Sequence, residues 1–147
     1  MNKILLATDG SENSIKAMRF ASELAGRYKS KLYILHVVPK MEIPESVLKY
    51  MATEEIKEPV DSVYLELLGR RIVEMCDSEC RAQKDAATET LVLSGDPASQ
   101  IVKTAKEIGA EAIVMGSRGA GGLVARLLGS VTRKVLDTAE QTCIIVK

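Results

Sequence analysis

Short apolar runs alternate with longer amphipathic stretches along the whole chain, and this alternation constrains the fold more than any other feature. The first run, Ile4–Ala7, is apolar at every position, as in strands that are buried on both faces of a sheet. Parallel strands need long crossover connections, which are usually helices. The sequence therefore predicts an α/β fold, an open parallel sheet with helices on both faces, in a single domain over residues 1–147.

The pattern places five strands in the chain. They are predicted at Ile4–Ala7, Leu32–Val38, Thr90–Leu93, Ala112–Met115 and Cys143–Val146. Between them, Ser11 is expected to cap the first helix, Asp96 the helix that begins at Pro97, and Ser130 the last helix. Gly109 is expected to end the helix that begins at Pro97.

The region between the second and third strands is less regular. Lys40 to Pro59 is predicted to be a partly helical connection, with Pro44 and Pro59 as punctuation. A long helix follows from about Val60 to Lys84, and its inner stripe is predicted to be Tyr64, Leu68, Ile72 and Met75.

Composition excludes several classes of protein. Twenty Lys and Arg residues balance twenty Asp and Glu residues, which argues against a protein that binds nucleic-acid backbones. The uninterrupted apolar runs are too short to span a membrane, and Met1 to Lys3 leads into a strand without room for a signal peptide. A cytoplasmic protein without membrane or nucleic-acid partners is expected.

Three cysteines and one histidine give little basis for metal or nucleophilic chemistry. Cys76 and Cys80 lie four residues apart on the long helix and share a face, but the other ligands of a zinc site are missing. Packing or an unremarkable surface position is expected for both. His36 stands alone, and no Ser or Cys belongs to a recognisable catalytic motif, so no catalytic or metal-binding residue is predicted.

Ligands of open parallel sheets bind beyond the carboxyl ends of the strands, where the strand order reverses. The segments at those ends are Thr8–Gly10, Val37–Val38, Gly95–Asp96 and Gly116–Gly119. Those after the first and fourth strands combine glycine with hydrogen-bonding side chains. We therefore expect these two strands to be neighbours on either side of a binding crevice.

The segment from Gly116 to Gly122 contains four glycines in seven residues. Such a segment can turn N–H groups towards a phosphate without an obstructing Cβ, although a ligand-free surface loop has the same composition. Leu123 to Leu128 is predicted to be a short helical turn, and the helix after Gly129–Ser130 presents an N-terminus that favours an anion. The spacing is neither that of a Walker loop nor GxGxxG.

Two charged side chains accompany the glycines. Asp9 is expected either to cap the turn after the first strand or to accept hydrogen bonds from ribose hydroxyls. Arg118 is either solvated or pairs with phosphate.

These segments together resemble the universal stress protein family along essentially the entire chain. The resemblance is carried by Lys3–Ser11, by Leu35–Val38, by Gly95–Pro97, and by Gly116, two residues, Gly119, nine residues, then Gly129–Ser130. The last spacing is similar to that of the ATP-binding branch of the family. The resemblance implies a Rossmann-like fold of the adenine nucleotide hydrolase type, with the sheet order 3-2-1-4-5.

The resemblance also implies a role for each site residue. Asp9 would contact the ribose, and the backbone near Ala7 and Val37 would meet the adenine. Gly116, Gly119, Gly129, Ser130 and Val131 would line the phosphates. The remaining candidates near the nucleotide are Thr8, Met115, Arg118 and Thr132.

A homodimer through the last strand, Cys143 to Val146, is a further implication of the resemblance. An apolar edge strand is a liability unless it is covered, which agrees with such a dimer. An additional protein partner is left open.

Three functions compete at this point. The first is a non-catalytic ATP-binding switch, in which ATP, with or without Mg²⁺, orders the loop from Gly116 to Ser130. The second is a slow ATPase or a nucleotidyl- or phospho-transferase that uses Asp9 and Asp96. The third is a structural dimer that does not use nucleotide, or one that binds AMP.

Overall fold

Within the described residues, five parallel strands form one sheet in this computed structural model. The structure describes residues 1–40, 45–54, 60–83, 87–119 and 128–147. The strands are β1 (Lys3–Ala7), β2 (Lys31–Pro39), β3 (Thr88–Gly95), β4 (Ala112–Gly116) and β5 (Thr142–Val146). Each contains the core of a predicted strand, and the predicted α/β class is confirmed.

The helices are α1 (Glu12–Tyr28), α2 (Glu45–Thr53), α3 (Val60–Gln83), α4 (Pro97–Ile108) and α5 (Ser130–Thr138). Helix α2 confirms that the connection after β2 is partly helical. Pro44 and Pro59 lie outside the described residues, as does most of the helical turn predicted at Leu123 to Leu128.

The strand order is β3-β2-β1-β4-β5, as the family resemblance implied. The chain steps outward from β1 to β2 and β3, and it then returns to the other side of β1 to form β4. The central strand therefore pairs on both sides: Leu6 is in register with Ile34 of β2 and with Val114 of β4. The predicted neighbours β1 and β4 thus meet where the strand order reverses.

The two faces of the sheet carry separate cores. In β1, Ile4 and Leu6 pack with helices α1 and α3, whereas Leu5 and Ala7 pack with α4 and α5. Because successive side chains of a strand point to opposite faces, a strand that is apolar at every position supplies both cores. The helices on both faces were predicted from this feature.

Two of the three predicted N-caps are confirmed. The Ser14 N–H donates to Ser11 Oγ at 3.4 Å, and the Ser99 N–H donates to Asp96 Oδ2 at 3.0 Å. Gly109, with a φ of 65°, ends α4 in the left-handed conformation as expected.

The predicted N-cap at Ser130 is wrong. The residue before α5 is Gly129, which is extended and makes no side-chain cap bond, and Ser130 is already helical. The Gly129 N–H donates to the Ser117 carbonyl at 2.8 Å. This long-range bond holds residue 129 in its extended conformation, so that the helix begins at Ser130, one residue earlier than Ser130 capping would require.

The predicted inner stripe of α3 is also wrong at two positions. Leu68 and Met75 are 41% and 54% exposed, respectively, and Ile72 is only half-buried. The side of α3 that faces the sheet instead carries Gly69, Val73, Cys76 and Cys80. The cause is packing around Gly69, where the helix approaches β2 too closely for a Cβ. The cysteines fill this face, which confirms the packing alternative. The Tyr64 side chain lies outside the described residues.

The third strand is longer than predicted at both ends. Its added residues include Glu89 and Ser94, both exposed, which pair in register with Tyr33 and Val38 of β2. Because β3 lies at the edge of the sheet, backbone pairing extends over polar residues that lack an apolar signal.

Within the described segments, no helix is both long enough and apolar enough to cross a membrane.

Burial of the Cys80 thiol leads to a testable pH dependence. Burial raises the pKa of this thiol from 9.0 to about 11. Below pH 9 the thiol is protonated in both the folded and the unfolded protein. Between pH 9 and about pH 11 only the unfolded chain loses this proton. The free energy of unfolding therefore falls as the pH rises through this range. We expect Cys80→Ala to show a smaller fall than the wild type in urea denaturation near pH 8 and near pH 10. Equal falls in the two proteins would contradict this assignment.

Candidate functional site

A cavity of about 600 Å³ opens at the carboxyl edge of the sheet. It lies among the ends of β1, β2 and β4, the first turns of α4 and α5, and one side of α3. The structure brings all the sequence-predicted site residues to the wall of this cavity: Ala7, Thr8, Asp9, Val37, Met115, Gly116, Arg118, Gly119, Gly129, Ser130, Val131 and Thr132. Its volume falls in the range that is usual for small-molecule sites.

The loop after β1 is held by its own hydrogen bonds. Gly10 has a φ of 77°, a conformation that favours glycine, and its N–H donates to Thr8 Oγ1 at 3.3 Å. Asp9 Oδ1 accepts from the Ser11 N–H at 3.0 Å, so one carboxylate oxygen is used to shape the turn. This bond agrees with the turn interpretation of Asp9, and the ligand interpretation stays a prediction.

The loop after β4 meets this carboxylate at Gly119. A Cβ built on Gly119 would overlap with Asp9 Oδ2, so glycine at this position allows the two loops to touch. Both residues line the cavity. The carboxyl ends of β1 and β4 therefore form one continuous wall.

Gly116 and Gly129 serve packing as well as the cavity. A Cβ on Gly116 would lie 2.9 Å from the carbonyl carbon of Asn13, in the first turn of α1. A Cβ on Gly129 would lie 3.3 Å from the Cα of Arg118. The family resemblance implied that these glycines line the phosphates, and the structure shows that protein backbone also comes close at both positions.

The first turn of α5 supplies backbone donors at the cavity wall. Residues Gly129 to Thr132 all line the cavity, and no side chain in the described part of the chain caps this turn. Thr132 Oγ1 donates to the Gly116 carbonyl at 3.0 Å and ties the helix to the end of β4. An uncapped helix N-terminus carries a partial positive charge, and Arg118 lies on the same wall. This side of the cavity suits an anion.

Another part of the lining is apolar. It comes from the end of β2, from α3, from α4 and from β4: Val37, Val38, Pro39, Leu65, Leu68, Ile72, Ile101 and Met115. Leu68 and Ile72, which were predicted to face the core, face this cavity instead. Such a lining suits a flat heteroaromatic group rather than a charged one.

Several lining residues were missed by sequence reasoning. Leu65 gave no signal, since its helix is remote from the strand ends in sequence, and Ser14 and Pro97 lie just inside helices. His36 was not among the predicted site residues, yet it lines the cavity and its Nδ1 lies 2.8 Å from the Thr8 carbonyl oxygen. Tertiary contact alone identifies these four residues.

Asp96 does not line the cavity. Its Oδ2 accepts hydrogen bonds from the N–H and hydroxyl of Ser99, and these bonds, assisted by Lys134 at 3.7 Å, lower the pKa of the carboxyl below its ordinary value. The residue is committed to capping α4. Among the described residues, no group of three or more His, Cys, Asp or Glu side chains is placed to hold a metal ion.

A family model described as the universal stress protein family matches residues 1–147. The chain belongs to the universal stress protein family. One relative is universal stress protein YxiE of Bacillus subtilis, which is 38% identical over 149 residues in an alignment that covers 99% of each chain. The resemblance inferred from the strand ends and glycine spacing is thereby confirmed.

Solved universal stress protein structures share the fold. Protein MJ0577 of Methanocaldococcus jannaschii matches with a TM-score of 0.78 and 27% identity, over 99% of this chain and 95% of that one. The universal stress protein from Archaeoglobus fulgidus in complex with dAMP matches with a TM-score of 0.67 and 24% identity, over 100% of this chain and 98% of that one. The predicted Rossmann-like architecture is confirmed.

Gly116 lies against backbone atoms, whereas Gly119 lies against a side chain, so alanine should have different effects at the two positions. Gly116→Ala places a methyl group against the backbone of α1 and should lower the free energy of unfolding by about 1–3 kcal/mol. Gly119→Ala meets only the end of the Asp9 side chain on an exposed loop, so it should change that free energy by less than about 0.5 kcal/mol. Urea denaturation of both variants checks this. A larger loss for Gly119→Ala would show that the loop contact supports the fold.

Proposed function

We propose that this universal stress protein binds ATP in the cavity and acts as a nucleotide-dependent switch in a stress response. The observation that carries the proposal is the uncapped first turn of α5, whose residues Gly129 to Thr132 line the cavity together with Arg118. Backbone N–H groups at a helix N-terminus, close to a cation, suit a phosphate chain.

The rest of the cavity fits the remaining parts of an adenine nucleotide. The apolar side, between the end of β2 and helix α3, would accept the base near the backbone of Ala7 and Val37. Asp9 lines the cavity next to Gly119, where its carboxylate would accept hydrogen bonds from ribose hydroxyls. Thr8, Met115 and Thr132 would complete the wall around them.

The phosphates would lie along the segments that end β4 and begin α5. Gly116 and Gly119 would border them on one side, and Gly129, Ser130 and Val131 on the other. The Archaeoglobus fulgidus neighbour, which is described in complex with dAMP, supports an adenine nucleotide as the ligand of this fold.

Mg²⁺ that accompanies ATP would take most of its ligands from phosphate oxygens and water, which is how this ion is usually held. The described residues offer no carboxylate cluster for a resident ion. We propose binding of ATP and assign no reaction to the site.

The switch would act through the glycine loop. Bound phosphate would favour one arrangement of the wall that Gly116, Gly119 and Gly129 form, and a partner protein in the cytoplasm would distinguish the occupied from the empty form. Only a nucleotide with different affinities for the two forms can drive such a change.

We also propose a homodimer through the last strand. β5 lies at the edge of the sheet and pairs with β4 on one side. Residues Cys143 to Val146 are apolar and only half-buried. Pairing of two such strands across a two-fold axis would cover both edges at once.

Titration with ATP, ADP and AMP in the presence of Mg²⁺ tests nucleotide binding. We expect heat of binding for the wild type in isothermal calorimetry, and at least about tenfold weaker binding for Asp9→Asn, because a charged acceptor is lost. Asp137→Asn, an exposed change on α5 outside the cavity, is the matched control and should bind as the wild type does. The proposal fails if the wild type gives no heat with any of the three nucleotides.

Sedimentation equilibrium tests the dimer. Ile145→Lys places a charge on the half-buried edge strand and should shift the protein from dimer to monomer. Circular dichroism melting of the same sample identifies any loss of fold, and Ile145→Thr provides a milder change. A wild type that sediments as a monomer would refute the interface.

A further inference from the structure

The imidazole of His36 connects β2 to the loop that carries Asp9. His36 is half-buried, lines the cavity, and has its Nδ1 at 2.8 Å from the Thr8 carbonyl oxygen. A carbonyl oxygen only accepts hydrogen bonds, so the proton must be on Nδ1, which donates. The hydrogen bond requires a proton on Nδ1 and ties the ring to the backbone directly before Asp9.

The opposite edge of the ring is held by helix α3. A Cβ on Gly69 would lie 2.7 Å from His36 Cδ2, and also close to Val92 and Val38 at 3.2 Å and 3.3 Å. Glycine in a helix interior costs about 1 kcal/mol relative to alanine, so this position in α3 carries a cost in helix stability. In return the helix packs directly on the ring, which leaves His36 little freedom to turn.

Thr8 is held by contacts of its N–H, its hydroxyl and its carbonyl. Its N–H donates to the Leu35 carbonyl at 2.9 Å, and its hydroxyl donates to Ser14 Oγ at 3.1 Å and lies 3.8 Å from Cys76 Sγ of α3. The His36 ring adds the bond to its carbonyl. The backbone that leads into Asp9 therefore has a defined direction before any ligand arrives.

Helix α3 makes one more contact with this loop. A Cβ on Gly10 would lie 3.2 Å from the Ile72 side chain, which packs over the turn. Gly69, Ile72 and Cys76 thus place one side of α3 against His36, Gly10 and Thr8, respectively.

From this arrangement we infer that His36 is a positioning residue of the nucleotide site. It orients the Asp9 carboxylate through its hydrogen bond to the Thr8 carbonyl. Gly69 of α3 has no Cβ and therefore leaves space for the His36 ring. The inference rests on the proposed function for its effect on nucleotide affinity. The orientation of Asp9 is a property of the ligand-free protein, and it can be measured without nucleotide.

The variants separate the hydrogen bond from the volume of the ring. His36→Leu fills similar space without a donor, whereas the amide of His36→Asn can place an N–H where Nδ1 donates. Gly69→Ala keeps the ring but pushes against it. Val73→Ala, a core truncation on the same helix outside the cavity, is the control for lost stability alone.

Two measurements are made on each variant. The amide proton resonance of Ser11, which donates to Asp9 Oδ1, reports the orientation of the carboxylate without ligand. Calorimetric titration with ATP reports the affinity. For His36→Leu and Gly69→Ala we expect an upfield shift of the Ser11 amide proton and about tenfold weaker binding, the fold-change that corresponds to one lost hydrogen bond. His36→Asn should stay close to the wild type, and Val73→Ala should lower the melting temperature without changing either value.

Two results for the His36 variants would contradict the inference. The inference is overturned if folded His36→Leu keeps the wild-type Ser11 resonance, or if His36→Asn loses as much affinity as His36→Leu. Should His36→Leu fail to fold, Gly69→Ala decides, because it retains the histidine. A wild type that binds no nucleotide would refute the proposed function, and the Ser11 resonance would still decide whether His36 orients Asp9.

Discussion

β1 lies between β2 and β4 and is hydrogen-bonded to both over its length. The strand order reverses at this point, so the chain leaves β1 and β4 towards opposite faces of the sheet and leaves a crevice at their carboxyl ends. The loop with Asp9 and the loop with Gly119 meet in that crevice. Every later feature of the site depends on this pairing, because it brings together segments that are more than a hundred residues apart in sequence.

The glycines of the site satisfy different constraints although they look alike in the sequence. Gly10 has a left-handed backbone, Gly116 lies against the backbone of α1, and Gly119 lies against a carboxylate. Gly129 faces the backbone of Arg118. The glycines of one motif therefore allow several different close contacts within the protein. Contacts between distant segments distinguish these constraints, whereas the sequence motif does not.

Helix α3 packs on the core and also lines the cavity. Its glycine allows the helix to pack closely against β2, which turns Val73 and the cysteines towards the sheet and leaves Leu68 and Ile72 at the cavity. The same packing brings α3 against the loop that holds Asp9. The contacts of Gly69, Ile72 and Cys76 on this helix consequently affect both the wall of the cavity and the loop that holds Asp9.

The sequence by itself determined the apolar cores of the strands, the confirmed caps at Ser11 and Asp96, the family, and the residues that gather at the strand ends. These are local or periodic properties, and a strand with no polar position has few alternatives to burial on both faces. Tertiary structure alone decided the start of α5 at Ser130, the rotation of α3 about Gly69, and the place of His36 beside Thr8. Each of these follows from a contact between segments that are distant in sequence, and hydrophobic periodicity carries no information about such contacts.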